Sequence, residues 1–208
     1  HYALKSVCSP NTRPLVLDFL SGAVAHRHKT ATGKKQLIAR AVGLKTLPTP
    51  SVLDLTAGLG RDAFLLATLG CRVTMVERSP VLYVLLEEAL ERAKQSASWF
   101  ADLSLQLVFS ESLDYLNQCV KVPDVIYLDP MFSDSKKSAL VKKEMRIIKA
   151  LVGSDLDAES LLPIACRLAR HRVVVKRARL APTLTPEPPN IVYKGARCRF
   201  DVYHNPPG

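Results

Sequence analysis

The feature that most constrains the fold of this chain is a strict alternation of short apolar runs with segments of helical spacing. Candidate buried strands, rich in Val, Ile and Leu, lie at residues 51–55, 72–76, 105–109, 124–128 and 172–176. Segments with helical periodicity lie at residues 34–42, 61–69, 80–96, 112–119 and 158–169. Because parallel strands joined through helices need right-handed crossovers, this alternation predicts a doubly wound α/β fold with a mostly parallel sheet.

The alternation of strands and helices ends after the fifth strand. Residues 191–194 and 199–203 are strand-like, and the tight connection between them contains Gly195, which indicates a hairpin. A mostly parallel seven-stranded sheet that ends in an antiparallel hairpin strand resembles the class I S-adenosylmethionine-dependent methyltransferases. We expect a Rossmann-like methyltransferase domain at residues 46–208. Residues 1–45 are expected to form a basic segment and a helix that pack on it, truncated at the start.

Composition limits the range of partners. The 208 residues, 48% of them hydrophobic, are enough for one substantial core. Lys and Arg outnumber Asp and Glu by 29 to 19, and this net charge of +10 favours a polyanionic partner such as nucleic acid. No apolar run reaches the roughly 20 residues of a membrane span. The five cysteines are scattered without metal-binding spacing, so we expect reduced thiols, a cytoplasmic location and no metal site.

A glycine turn follows the first strand, where ligands of open α/β sheets bind. Gly58 and Gly60 also fit the dinucleotide pattern G-x-G-x-x-A, so the turn alone does not identify the ligand. Asp62 is more informative, because a carboxylate in the first helical turn would repel a pyrophosphate. S-adenosylmethionine has no phosphate and carries a sulfonium and an ammonium group. We therefore expect Asp54 and Asp62 to complement its positive charges and Arg61 to face its carboxylate.

Acidic side chains also follow the second and third strands. Glu77 stands where a carboxylate can accept hydrogen bonds from both ribose hydroxyls of an adenosine ligand. Glu111 and Ser112 can reach the adenine edge, although Ser112 is equally suited to cap the following helix. These positions support an adenosine ligand and leave a nicotinamide-dependent oxidoreductase as an alternative function.

The fourth strand runs directly into Asp129, Pro130, Met131 and Phe132. This segment resembles the [D/N/S]-P-P-[Y/F/W] motif of amino-methyltransferases, with Met131 replacing the second proline. An exocyclic base amine is a poor nucleophile, so Asp129 and a neighbouring carbonyl would accept its hydrogen bonds and aim it at the methyl group. Phe132 would stack on the extruded base. The four residues are therefore the candidate catalytic motif.

The chain as a whole resembles the ribosomal RNA small subunit methyltransferase J family. The likeness runs from Asp18 to Asp201 and is carried by the segments 18–27, 54–62, 77–78, 127–132, 136–146, 173–177 and 199–201. It implies methyl transfer to a guanine N2 amine in 16S ribosomal RNA, free or in the small ribosomal subunit. It also implies cofactor contacts from Arg61, Asp62, Glu77, Arg78, Glu111, Ser112 and Asp129. Ser133 departs from the family, which usually has proline there.

Three basic clusters are candidate RNA contacts, and each could instead be an ordinary solvated face. The candidates are Arg27, His28, Lys29, Lys136, Lys137, Lys142, Lys143, Arg146, Lys176 and Arg177. His28 is not assigned as a proton acceptor, because neighbouring cations disfavour its charged form. With few aromatic residues beside the clusters, a broad stacking platform is not expected. A non-catalytic RNA-binding domain is the remaining alternative function.

Overall fold

A computed structural model of the chain describes residues 2–5, 14–21, 36–130 and 158–204. The helices in these ranges are α1 Leu37–Val42, α2 Arg61–Thr68, α3 Pro80–Ser96, α4 Ser98–Ala101, α5 Ser112–Gln118 and α6 Ala158–Leu168. The strands are β1 Ser51–Asp54, β2 Arg72–Glu77, β3 Leu105–Phe109, β4 Val125–Leu128, β5 Arg172–Ala178, β6 Ile191–Lys194 and β7 Cys198–His204. The predicted elements are confirmed within a few residues at each end, and the one-turn helix α4 was not predicted.

The seven strands form one sheet in the order β3-β2-β1-β4-β5-β7-β6. The first five are parallel, whereas β7 runs antiparallel to β5 and to β6. The expected doubly wound sheet with an antiparallel C-terminal hairpin is therefore confirmed. Because β1 and β4 lie side by side at the centre, the direction of the strand order changes between them. Ligands of open α/β sheets bind in the crevice at the carboxyl edge beside such a point.

Two hydrophobic cores cover the two faces of the sheet. On the first face, α1, α2 and α3 pack against side chains that include Val52, Val73 and Tyr127. On the second face, α5 and α6 pack against Leu53 and Ile126, among others. Neighbouring strand residues thus belong to different cores, as the alternation of side chains along a strand requires.

The described part of the N-terminal segment packs on the first face. Leu15, Leu17 and Phe19 are buried in the core that contains α2 and α3. Arg92 of α3 fixes this segment, because its guanidinium donates to the Leu17 carbonyl and lies 3.8 Å from the Asp18 carboxylate. This packing brings Phe19 beside the turn that follows β1.

Helix α3 begins as its sequence predicts. Pro80 occupies the first helical turn, and the Ser79 hydroxyl caps the helix by accepting from the Leu82 amide at 3.4 Å. In the ranges that the structure describes, no helix is long and apolar enough to cross a membrane. Cys71, Cys119, Cys166 and Cys198 are free thiols.

Candidate cofactor and catalytic site

Strand geometry places the functional side chains on one face of the sheet. Asp54, Glu77 and Lys176 are each two residues beyond a residue of the first core on the same strand, and Asp129 is two residues beyond Tyr127. Side chains two positions apart point to the same side. In the parallel register Leu128 is opposite Val175, so Asp129 and Lys176 leave neighbouring strands at the same level. The face that carries α2 therefore receives all of these groups at its carboxyl edge.

The turn between β1 and α2 needs two of its glycines. Gly58 has φ 55° and Gly60 has φ 67°, both in the left-handed region that favours glycine. A Cβ atom on Gly60 would also lie 2.9 Å from Leu86 Cδ2 and 3.2 Å from the Phe19 ring. The backbone can therefore approach both α3 and the N-terminal segment closely, and it leads directly into the first turn of α2.

Glu77 is buried and holds this turn. Its Oε2 accepts from the Gly58 amide at 2.9 Å, and its Oε1 accepts from the Ser79 amide at 2.8 Å. The carboxylate thus joins the glycine turn to the start of α3. Each carboxylate oxygen has a second lone pair, so these backbone bonds leave acceptor capacity for ribose hydroxyls. Glu77 is therefore not a solvated side chain at the end of its strand.

Asp54 lies beneath the turn and is only 2% exposed. Its Oδ1 accepts from the amide of Thr56 at 3.0 Å and from the hydroxyl at 3.3 Å. Burial raises the pKa of Asp54 to about 7, the charges of Asp62 and Asp129 add to the rise, and the Thr56 hydrogen bonds oppose it. Asp54 can act on a ligand through its charge rather than through an exposed contact.

Lys176 bridges two further aspartates at this edge of the sheet, Asp62 and Asp129. Its ammonium donates to Asp62 Oδ2 at 2.5 Å and to Asp129 Oδ2 at 2.8 Å. Tyr127, which is fully buried, donates its hydroxyl to the same Asp62 oxygen at 2.8 Å. The Asp129 amide donates to the Thr56 hydroxyl at 2.6 Å. We call Asp54, Asp62, Asp129, Tyr127 and Lys176 the carboxylate cluster.

The electrostatics of the carboxylate cluster suit a cationic ligand. Burial would lower the pKa of Lys176, but the charges and hydrogen bonds of Asp129 and Asp62 outweigh it and raise that pKa. Burial also raises the pKa of Tyr127, and the neighbouring carboxylates reinforce the shift. Lys176 and Tyr127 thus remain protonated donors at neutral pH. The charges of Asp62 and Asp129 meanwhile disfavour the ionisation of Asp54, a cost that a bound positive charge would reduce.

The predicted adenine-edge residues lie at the exit of β3. Ser112 is buried, and its hydroxyl donates to the Leu55 carbonyl at 2.7 Å, which ties this exit to that of β1. The N-cap residue of α5 is Glu111, not Ser112, so capping by the Ser112 hydroxyl is not observed. Glu111 is exposed, and its carboxylate lies 3.9 Å from the Arg78 guanidinium. Glu111 and Arg78 therefore border the crevice beside Glu77, while Ser112 supports it from below.

The predicted RNA contacts Lys176 and Arg177 do not lie on an open surface. Lys176 belongs to the carboxylate cluster, and Arg177 is 5% exposed and donates to the Pro182 carbonyl at 3.0 Å. Successive strand residues point to opposite faces, so the pair cannot form one basic patch. The other predicted RNA contacts, and Met131 and Phe132 of the catalytic motif, lie outside the described residues.

Two members of the site were not predicted from the sequence, Tyr127 and Thr56. Tyr127 looks like an ordinary core residue of β4, yet its spacing of two from Asp129 already placed both side chains on one face. Thr56 stands between Asp54 and the glycines without a recognised motif. Only the fold shows that its hydroxyl meets the amide of Asp129, 73 positions later. Among the described residues, no three His, Cys, Asp or Glu side chains form a group that could hold a metal ion.

Comparison with known proteins gives one consistent result. Residues 1–205 match a family model described as putative SAM-dependent methyltransferase. The ribosomal RNA small subunit methyltransferase J of Coxiella burnetii is 55% identical over 203 residues, which are 98% of this chain and 80% of the relative. The protein of the same name from Tolumonas auensis is 50% identical over 206 residues, covering 98% of this chain and 82% of that one.

Solved structures show the same fold. A SAM-dependent methyltransferase from Neisseria gonorrhoeae has a TM-score of 0.76 and 34% sequence identity, covering 99% of this chain and 80% of its own. An RNA methyltransferase from Salinibacter ruber, solved with S-adenosyl-L-homocysteine, has a TM-score of 0.51 and 17% identity, covering 83% of this chain and 92% of its own. The second likeness concerns the fold alone.

Proposed function

The chain belongs to the ribosomal RNA small subunit methyltransferase J family, and on that premise we propose that it methylates the exocyclic N2 amine of a guanine in 16S ribosomal RNA. The enzyme is an S-adenosylmethionine-dependent methyltransferase, so the nicotinamide-dependent alternative is wrong. The choice of guanine N2 rests on the family resemblance. An enzyme that modifies ribosomal RNA acts where ribosomal subunits assemble, which in a bacterium is the cytoplasm.

The observation that carries the proposal is the position of Asp129. The Asp129 carboxylate is joined through Lys176 to Asp62 of α2, the helix that follows the glycine turn. The side chain of Asp129 is still 39% exposed. A group in this place can accept a hydrogen bond from an amine while remaining close to the cofactor crevice. S-adenosylmethionine supplies a methyl group on a sulfonium, which is an electrophile.

The residues of the chain then have separate tasks. Asp129 accepts an N–H of the amine and orients its lone pair, which is otherwise delocalised into the ring. Glu77 accepts hydrogen bonds from the ribose, and Arg61 faces the carboxylate of the cofactor. Phe132, which follows Pro130 and Met131 in the motif, stacks on the base. When the N–C bond forms, the C–S electron pair stays on sulfur and the amine loses one proton to solvent.

The basic residues on either side of the motif are the proposed RNA surface. One group precedes the glycine turn in the sequence and consists of Arg27, His28 and Lys29. The other follows Asp129 and consists of Lys136, Lys137, Lys142, Lys143 and Arg146. Changing Lys142, Lys143 and Arg146 to Gln should lower the salt slope of RNA binding by about 2, because three phosphate contacts are lost. The matched control changes Lys45, Lys94 and Lys194, three exposed lysines elsewhere, so that net charge falls equally. Equal slopes in the two triple variants would contradict a localised RNA surface.

The direct test of the function is base mapping. The protein is incubated with methyl-labelled cofactor and small ribosomal subunits, or free 16S rRNA, from cells that lack the enzyme. The label is expected on N2 of a guanine in the RNA. A label confined to protein, DNA, or another atom of the RNA would overturn the proposed substrate. No transfer at all would favour the non-catalytic RNA-binding alternative.

A further inference from the structure

Because Lys176 bridges Asp62 and Asp129, we propose that it is a positioning residue. It fixes Asp129 relative to helix α2 and does not bind RNA. This inference rests on the proposed function, because it assigns Asp129 to the amine. Lys176 comes from β5, Asp129 follows β4, and Asp62 belongs to α2. One ammonium therefore joins three separate elements at the point where cofactor and base must meet.

Asp129 is held through its backbone and through its side chain. Its backbone amide is fixed by the hydroxyl of Thr56, which is itself held by buried Asp54. Its side chain is fixed by Lys176 through Oδ2. A hydrogen bond to Oδ2 restrains the rotation of the carboxylate, so it narrows the directions from which a ligand can donate to it. Loss of Lys176 would leave the backbone contact in place and remove this constraint on the carboxylate.

The other end of the bridge is equally well anchored. Asp62 Oδ2 accepts from Tyr127 and Lys176 together, and Tyr127 is a fully buried residue of the central strand β4. Lys176 is therefore aimed between two carboxylates rather than toward solvent, with its side chain 25% exposed. A lysine that contacts phosphate needs an ammonium free to reach outward, and this one is engaged on the inner side of the crevice.

The charge of Lys176 gives a second consequence. A positive group at the cofactor crevice repels the sulfonium of S-adenosylmethionine but not the neutral thioether of S-adenosylhomocysteine. Removing it should raise the preference for the former over the latter. A role confined to maintaining the fold would change both affinities alike.

The test compares Lys176→Met with Lys176→Arg and with Lys194→Met, a matched removal of an exposed lysine on β6. Calorimetry gives the affinities for the two cofactor forms, and single-turnover assays with saturating RNA and cofactor give the transfer rate. For Lys176→Met we expect a rate lower by about 10- to 100-fold. The preference for S-adenosylmethionine over S-adenosylhomocysteine should rise by about threefold or more. RNA affinity and its salt slope should not change.

Lys176→Arg keeps the charge and the donors, so it should retain more of the rate than Lys176→Met. Lys194→Met should match the parent protein throughout. If Lys176→Met does not fold, Lys176→Gln, which keeps donor groups for the two carboxylates, is used and the same pattern is expected.

A parent rate in the folded variant, or an unchanged preference between the two cofactor forms, would overturn the inference. Weaker RNA binding with a flattened salt slope and a normal rate at saturation would make Lys176 a phosphate contact instead. The calorimetric measurements need no RNA. If the parent protein methylates no guanine and Lys176→Met still shows the expected change in preference, only the proposed function is refuted.

Discussion

The two edges of the sheet each carry a cluster of charged side chains, and the clusters are built differently. At the amino edge, Asp124 accepts from the amide and hydroxyl of Ser51 at 2.8 and 2.7 Å. Arg170, Arg72 and His171 lie 3.3, 3.8 and 3.9 Å from the same carboxylate. At the carboxyl edge the acids outnumber the bases. Lys176 pairs with two aspartates, and a third, Asp54, lies buried beside them.

The pKa shifts of the two edges differ in sign. Burial would raise the pKa of Asp124, but the Ser51 hydrogen bonds and the charges of Arg170 and His171 outweigh it and lower that pKa. For Asp54 burial is the largest cause, and the pKa rises to about 7. A carboxylate with enough partners stabilises the fold in its charged form, whereas one with too few destabilises it. The amino edge therefore acts as a structural clamp between β1 and β4, and the carboxyl edge is arranged for a positively charged ligand.

Asp54→Asn should have the largest effect of the substitutions at the two edges. An asparagine oxygen can still accept from Thr56, so the variant resembles the neutral, protonated form of Asp54 at every pH. Because the folded pKa is raised from 3.8 to about 7, ionisation weakens the parent fold as pH rises through that window. The variant should equal the parent below about pH 4. It should exceed the parent's free energy of unfolding by up to about 4 kcal/mol above pH 7, since each pKa unit corresponds to about 1.4 kcal/mol.

Denaturant unfolding at intervals from pH 4 to pH 8.5 measures this difference. A variant that is no more stable than the parent at pH 8 would mean that Asp54 has enough polar partners, as Asp124 has. The same variant should bind S-adenosylmethionine more weakly at pH 8, because it lacks the charge that the cofactor complements.

Glu77→Ala tests the cofactor side of the comparison. It removes the acceptor for the ribose hydroxyls and frees the Gly58 and Ser79 amides. Cofactor binding should weaken by roughly 1.5 to 3 kcal/mol, which is more than tenfold in Kd. Calorimetry provides the measurement. Glu87→Ala is the matched control, because Glu87 is an exposed acid of α3 that accepts from Tyr83. If both variants bind the cofactor as the parent does, Glu77 serves only the turn.

A substitution at the amino edge should change the free energy of unfolding less than Asp54→Asn does, and should lower it rather than raise it. Asp124→Asn keeps one oxygen for Ser51 but loses the attraction of Arg170 and His171, so the variant should be less stable by about 1 kcal/mol at pH 7. The folded pKa of Asp124 is lowered, so its contribution is present above about pH 3.8 and disappears as pH falls through the folded value. Thermal unfolding at pH 7 and pH 3 checks this. Impaired methyl transfer in this variant would contradict a purely structural role.

The sequence predicted the fold, and it predicted which strand ends meet at the carboxyl edge, because both follow from local patterns. Apolar runs and their spacing located all seven strands, and parallel strands bring the residues after β1, β2 and β4 to one edge whatever the loops do. Glu77 and Asp129 were found for this reason. The start of α3 was predicted at residue 80, where Pro80 suits a first helical turn because its missing amide hydrogen costs nothing there.

The partnerships within the site could not be predicted in the same way. Lys176 was grouped with Arg177 as a basic dipeptide, although the alternation along β5 sends the two side chains to opposite faces. Its partners Asp62 and Asp129 are 114 and 47 positions away, and only the strand order makes them neighbours. Ser112 was expected either at the adenine edge or as a helix cap. The hydrogen bond that its hydroxyl donates to the Leu55 carbonyl, 57 positions earlier, was not predicted. Contacts over such separations depend on the sheet register rather than on any local pattern.

The most direct test of the account is single-turnover methyl transfer to small subunits or 16S rRNA by Asp129→Asn, with RNA and cofactor saturating. The substitution keeps the size of the side chain and replaces a charged acceptor by a weaker one, so the variant should fold and bind both ligands. Transfer to the guanine N2 amine should be slower by about 100-fold or more, in the range seen when one stabilising group is removed from an active site. Transfer at the parent rate would contradict the role of Asp129 in orienting the amine.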